Sequence, residues 1–214
     1  MVVPNVKKAL YLGQIHKLPA KTQLNSRMEN KEYGAHIDFK NKDSLLEVVK
    51  RCQDGDAKAM EMVYINYKSS LFNLAYRFAR NYSSSKDLLQ DIFINIFSNI
   101  DRLRAPEAFN SWLYRIAINT CISFVRQKGK AKEVPLDEIQ NIDYSEEVDH
   151  PMRQHLERAI RILPLKQRTV FLLHDVQGFT HTEIAQITKF SEGTSKSQLF
   201  KARMKLKDYL RSTK

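Results

Sequence analysis

The 214-residue chain is poor in the residues that cross-link or punctuate a fold. It has two cysteines, six glycines, six prolines and one tryptophan. Cys52 and Cys121 stand far apart, without C-x-x-C spacing or close histidine partners. A disulfide framework is excluded, a zinc site is disfavoured, and two small buried thiols are expected. Collagen-like and low-complexity organisation are excluded by the scarcity of Gly and Pro. Long apolar runs are also missing. The longest stretch without Asp, Glu, Lys or Arg is Ile116 to Val125, about half of what a membrane-spanning helix needs. The apolar run after Lys7 and Lys8 is too short and weak for a secretory signal. There is no Gly-rich phosphate loop, no metal-ligand spacing and no nucleophile motif. The six histidines are scattered, and His155, His174 and His181 read as surface or partly packed side chains. An enzyme is therefore the poorest reading, and no cofactor or metal is expected.

Charge is plentiful and unevenly placed. The net charge is +11. Residues 1–27 hold five bases and no acid, whereas residues 130–150 hold two bases and seven acids. Residues 151–214 hold thirteen bases and five acids. A basic C-terminal segment points to a polyanion partner, nucleic acid first. The acidic stretch contains Pro135, precedes Pro151 and has no helical period, so it reads as a linker. The expected organisation is a basic, disordered extension over 1–41, a helical domain over 42–129, the linker 130–150, and a second helical domain over 151–214. Two readings of residues 1–27 stay open: a disordered basic arm, or a stretch upstream of a start at Met28.

Hydrophobic periodicity predicts an all-α protein: two helical domains joined by a flexible linker, the C-terminal one a helix-turn-helix. Helices are expected near 44–54, 57–81, 86–100, 107–128, 152–162, 165–176, 181–188 and 192–210. Asp43, or a Ser44…Glu47 capping box, would open the first, and the serines after Tyr82 would cap the third. In the second, Met60, Val63, Tyr64, Tyr67, Leu71, Leu74, Ala75 and Phe78 recur at helical steps.

The C-terminal segment is the most explicit. Gly178-Phe179 is a turn, and Thr180…Glu183 is a capping box. A short helix with Ile184, Ala185 and Ile187 inward is followed by the turn KFSEG and a second helix near Ser191. Leu199, Ala202, Leu206 and Leu210 form its apolar stripe, opposite Thr194, Lys196, Ser197, Gln198, Lys201 and Arg203. That is a helix-turn-helix whose second helix enters a major groove N-terminus first.

Two further helices carry possible surfaces. In 86–100, eight of fifteen residues are apolar, too many for one stripe. Either the helix is buried on several sides, or its apolar face, beside Asp87, Gln90 and Asp91, docks a protein. In 107–128, Arg115, Asn119, Arg126 and Lys128 lie apart from the apolar residues, with Trp112 and Tyr114 beside them. Bases interleaved with rings suit single-stranded nucleic acid, although each ring taken singly is more simply a core residue.

Taken in order, DLLQDIF, FNSWLYRIAIN and then LP…R…EIA…GTSKS resemble the extracytoplasmic-function (ECF) sigma factors of bacterial RNA polymerase. The likeness covers about residues 42–129 (sigma region 2) and 151–211 (sigma region 4). It implies a cytoplasmic, non-catalytic subunit that binds core RNA polymerase and promoter DNA. A membrane-bound anti-sigma factor is a further candidate partner. Asp87, Gln90, Asp91, Phe93 and Ile94 would dock on the polymerase. Arg104 in the preceding loop, with Trp112, Arg115, Asn119 and Arg126, would take the −10 element. Thr194, Lys196, Ser197, Phe200, Lys201 and Arg203 would take the −35 element. The chain has Ser195 where the family carries an apolar residue and Gln198 where it carries a basic one, so looser packing is expected at 195. A stand-alone regulator whose central module dimerises or binds a ligand would explain the helix-turn-helix, but not the two upstream motifs.

Overall fold

The computed structural model describes Phe39 and residues 41–130 and 151–212. Apart from Phe39, Asn41 and Lys130, the expected disordered extension 1–41 and the acidic linker 130–150 lie outside the described residues. Among the described residues every regular element is helical. They are α1 (Lys42–Gln53), α2 (Ala57–Ala79), α3 (Tyr82–Asn99), α4 (Phe109–Lys130), α5 (Pro151–Ile162), α6 (Leu165–Phe171), α7 (His181–Thr188) and α8 (Glu192–Ser212). Short 3-10 turns at Ile100–Arg102 and Pro106–Ala108 separate α3 from α4, and a π-helical turn, Leu172–Val176, extends α6. By packing, the chain divides into a unit of residues up to 69 plus 93–110, and a unit of 70–92 plus 111–214.

The first unit is built on α1. Its cap is Asn41, whose Oδ1 accepts from the amides of Asp43 and Ser44 at 2.9 and 3.4 Å. That corrects the expected Asp43 or Ser44 cap. Asn41 has extended backbone at the helix entrance, the conformation an N-cap requires. Leu45, Val48, Val49 and Cys52 give α1 a fully buried stripe. Gly55, at φ 82°, makes the turn into α2. Asp56 then caps α2, accepting from the amides of Lys58 and Ala59 and from Arg51 Nε at 2.8 Å. Burial opposes ionisation of Asp56, but these donors outweigh it and hold the carboxyl below its ordinary range. Gln53 donates to the carbonyls of Ile100 and Leu103 (3.1 and 2.8 Å) and so ties α1 to the turn that leads to α4. Rings fill the rest of this core: Phe93 lies against Tyr64 and Phe97, and Tyr67 meets Phe109 edge-on.

The second unit holds the remainder of α2, α3 and α4 with α5 to α8. Arg80 closes α2 in the left-handed region at φ 68°, an uncommon conformation for a side chain of this size. Its guanidinium donates to the Arg161 carbonyl at 3.1 Å. Asn81, rather than the serines that follow, caps α3 by accepting from the Ser84 amide at 2.8 Å. Tyr114 is buried; its hydroxyl bonds to Ser70 and, at 2.6 Å, to Gln177 Oε1, while its ring meets Phe179. Helices α5, α6 and α7 all pack on α8. Thr180 and Glu183 form the capping box read from the sequence, Lys189 at φ 62° ends α7, and Ser191 opens α8 by accepting from the Thr194 amide. Ile184 and Ile187 of α7 and Ser195, Leu199, Ala202 and Leu206 of α8 are buried.

Ser195 is not loosely packed. It has no exposed surface, and its hydroxyl pairs with His181 Nδ1 at 2.9 Å. The His181 ring lies 4.7 Å from that of His174, whose Nδ1 reaches Asp175 Oδ1 at 2.8 Å. Burial, then the charges of His174, Lys196 and Arg203, lower the His181 pKa below its ordinary 6.5, with Glu192 acting the other way. The folded state therefore binds fewer protons than the unfolded chain as pH falls through 6.5. Stability from this group is present above that pH and is lost on acidification. Urea denaturation at pH 7.5 and 5.5 should show lower stability at 5.5, and His181→Gln should flatten the dependence. An unchanged slope in the variant would assign the effect to another group.

Candidate nucleic-acid interface

On α8 the apolar stripe is inward, so one helical face is left outward. Lys196, Ser197, Phe200, Lys201, Arg203 and Met204 are exposed there, and Thr194 is half-buried. Several of their polar groups are already engaged within the domain. The Thr194 hydroxyl pairs with Ser191, and Ser197 donates to the Thr194 carbonyl at 3.0 Å. Arg203 grips Asp175 with both arms of its fork, Nη2 to Oδ1 at 2.6 Å and Nε to Oδ2 at 3.0 Å. The Arg203 hydrogen bond is the main reason the Asp175 pKa is lowered; burial opposes it and the His174 hydrogen bond adds to it. Because the pair is surface-exposed at its arginine end, its contribution to stability is small. Its role is to fix where the guanidinium sits. Asp175, His174 and Met204 were not singled out as site residues in the sequence. The one available signal was Met204's position, four residues after Phe200 and hence on the same face.

Helix α4 presents Arg115, Asn119 and Arg126 as an exposed ridge at helical steps. Arg104, in the turn before it, is exposed as well. Trp112 is not part of this surface. It is 7% exposed, and Tyr114 is held in the core by Ser70 and Gln177. The expectation that Trp112 meets the −10 element is therefore corrected. Three residues after Phe109, its ring follows the buried stripe of the helix, and burial of a large aromatic outweighs exposure.

Helix α3 resolves the puzzle of its eight apolar residues. Leu88 and Ile92 are buried in the second unit; Phe93, Ile96, Phe97 and Ile100 are buried in the first. Leu89 and Ile94 are half-buried, so part of the apolar girth stays at the surface. Phe93, with no exposed surface and stacked on Phe97, is removed from the docking set. Asp87 and Asp91 stay exposed on one edge, with Gln90 and Ile94 half-buried beside them. Cys52 and Cys121 are both buried, and burial pushes the Cys121 thiol well above its ordinary range. Among the described residues no group of three or more His, Cys, Asp or Glu is placed to hold a metal, and no helix is long and apolar enough to cross a membrane.

Known proteins share this layout. The Sigma-70 region 2 family matches residues 63–131, and the Sigma-70, region 4 family matches residues 153–206. The ECF RNA polymerase sigma-E factor of Escherichia coli (strain K12) is 30% identical over 170 residues, covering 73% of this chain and 88% of that protein. Its namesake from Haemophilus influenzae is 29% identical over 170 residues, covering 73% and 89%. Among solved structures, the sigma factor RpoE in complex with the anti-sigma factor NepR from Bartonella quintana matches with a TM-score of 0.60 and 22% identity. It covers 72% of this chain and 98% of that one. CnrH in complex with the cytosolic domain of CnrY matches with a TM-score of 0.60 and 18% identity, over 79% and 99%. These two support the fold. With both region families matched in order along the chain, and a curated relative covered over most of its length, the chain belongs to the ECF group of the sigma-70 family and is an RNA polymerase sigma factor for promoter-specific initiation.

Proposed function

We propose that the chain divides its work between a region 2 domain over 42–129 and a region 4 domain over 151–214, with 130–150 as linker. The exposed edge of α3, Asp87 and Asp91 with Gln90 and Ile94, docks on core polymerase. Arg104 and the α4 ridge of Arg115, Asn119 and Arg126 take the −10 element. The outward face of α8, with Thr194, Lys196, Ser197, Phe200, Lys201 and Arg203, takes the −35 element. The chain is cytoplasmic and performs no catalysis of its own. An anti-sigma factor controls it, as the anti-sigma factor NepR is bound to the structurally similar sigma factor RpoE. The observation that carries the reading is the outward face of α8: basic residues open and flank a helix that a capped helix and a left-handed turn hold at its N-terminal end.

In vitro transcription with core polymerase over a pool of genomic promoters tests the whole. Transcripts that need both the chain and a shared −35/−10 pair support it, whereas a chain that binds duplex DNA but never core polymerase would be a stand-alone regulator. Within that assay, Asn119→Ala should lower open-complex formation while −35 binding survives. An amide both donates and accepts, so it can read a base edge. Discrimination at one −10 position should relax at a cost of about 1–3 kcal/mol. An equal loss at every −10 variant would give Asn119 a structural role instead.

A further inference from the structure

Four arginines, Arg77, Arg80, Arg161 and Arg168, meet where the C-terminal end of α2 lies beside the turn from α5 to α6. Arg77 holds Glu157 through both carboxylate oxygens, Nη2 to Oε1 at 2.7 Å and Nε to Oε2 at 3.2 Å, so that pair is closed. Arg161 donates from Nη2 to the Tyr76 hydroxyl at 3.1 Å and lies 5.4 Å from the centre of that ring. Arg80 and Arg168 have no acid. Among the described residues neither forms an ion pair, and the charges that act on them are those of neighbouring arginines. Helix-end carbonyls take some of their donors. Of the five N–H groups a guanidinium carries, Arg80 uses one, to the Arg161 carbonyl, and Arg168 uses three. The Arg168 Nε–H has no hydrogen-bond partner, although the residue is only 4% exposed. Arg80 is half-buried and ends α2 at φ 68°, where glycine or asparagine would sit at lower cost. What this position supplies is therefore the guanidinium.

Charge does not balance here. Each helix end carries about half a negative charge, so the two ends offset roughly one of the two positive charges on Arg80 and Arg168. The Arg161 charge acts on both as well. Like charges held together out of water oppose folding. The complement of such a cluster is a compact oxyanion with several acceptor oxygens, which guanidinium forks bind best. A terminal phosphoryl group has three such oxygens and nearly two negative charges. A phosphodiester of nucleic acid has two free oxygens and one charge, and its polymer cannot follow it down to a buried arginine. We propose that Arg80, Arg161 and Arg168 form a binding site for the terminal phosphoryl group of a small molecule, an effector that ties the end of α2 to α5 and α6.

The test titrates the full chain with inorganic phosphate, pyrophosphate and adenosine triphosphate by calorimetry, at physiological ionic strength, where loose surface binding is screened. One saturable site is expected, and the tightest of the three ligands tells whether the phosphoryl group comes free, in a chain or on a nucleotide. That ligand should raise the midpoint of thermal unfolding. Arg80→Gln should weaken binding at least about tenfold, the scale of one charge-assisted hydrogen bond, and Arg80→Lys should recover part of it. Lys201→Ala, on the outward face of α8, should bind as the wild type does. A second measurement reads the buried group directly. In a proton–nitrogen correlation spectrum of the arginine Nε–H groups, the Arg168 resonance, identified by its loss in Arg168→Lys, should shift as the ligand is added. Circular dichroism checks that Arg80→Gln folds; if it does not, the Arg168 resonance of the wild type decides. No saturable binding below about 1 mM in the wild type, undiminished binding in a folded Arg80→Gln, or an Arg168 resonance that stays in place would each overturn the inference. An equal loss in Lys201→Ala would also overturn it, since the anion would then sit on the surface of α8.

Discussion

Replacing Asp87 and Asp91 together by lysine should abolish binding of the chain to core RNA polymerase, and with it all promoter-directed transcription. The two carboxylates lie four residues apart on α3 and are both exposed, so they present one acidic edge. The side chains inward of them, Leu88 and Ile92, are fully or almost fully buried. Gln90, Leu89 and Ile94 are half-buried beside the two carboxylates, so charge dominates the exposed part of this edge. Reversing two charges turns attraction to a basic partner into repulsion, which costs several kcal/mol at a protein interface and so at least about a hundredfold in affinity. Neither aspartate forms part of a core, so thermal stability should be unchanged. Affinity for free duplex DNA should be retained. The measurement is core binding by fluorescence anisotropy at two salt concentrations; wild-type affinity in the double variant would remove this edge from the interface.

The second large effect concerns stability. Arg168 is almost fully buried, and among the described residues no carboxylate forms an ion pair with it. Its Nη2 donates to the carbonyls of Arg161 (2.8 Å) and Leu163 (3.0 Å), and its Nη1 to that of Arg77 (3.3 Å). These carbonyls belong to the C-terminal ends of α5 and α2, where unpaired oxygens carry the negative end of each helix dipole. Two helix ends thus stand where a counter-ion would, and the guanidinium joins them. Burial, with the charges of Arg80 and Arg161 nearby, lowers its pKa to about 10, still well above neutrality, so it stays charged. Nearby, Arg77 and Glu157 form a largely buried ion pair at 2.7 Å. Arg168→Ala should cost about 3–5 kcal/mol, because it strands buried carbonyls and opens a cavity beside Phe78. The midpoint of thermal unfolding should fall by roughly 10 °C. Arg168→Lys should recover only part of this, since one ammonium cannot reproduce the planar fork. A loss below about 1 kcal/mol for the alanine variant would mean that water replaces the arginine at both helix ends.

Helix periodicity made most of the architecture legible. Each element stood within a few residues of its place, because amphipathic stripes, Gly55, Pro106 and the Thr180…Glu183 box are local signals. Caps were less legible. Asn41 and Asn81 cap α1 and α3, while the sequence favoured neighbouring Asp and Ser residues, since adjacent polar side chains compete for the same amides. Exposure was the least legible property. The fate of Phe93 and Trp112 turned on what packs over them, and a stripe in one sequence segment carries no record of its partners. The same limit hid the Arg203–Asp175 pair, twenty-eight residues apart, and the His181–Ser195 contact, fourteen apart.

By itself the sequence determined an all-helical chain, its order of helices, the helix-turn-helix and its family, because these rest on local periodicity, capping and motif order. Tertiary structure alone decided which side chains of those helices remain at the surface. Burial is a property of both sides of a contact. Thus α3 buries Leu88, Ile92, Phe93, Ile96 and Phe97 and keeps Asp87 and Asp91 exposed, while α8 buries Leu199 and leaves Phe200, the next residue, in water.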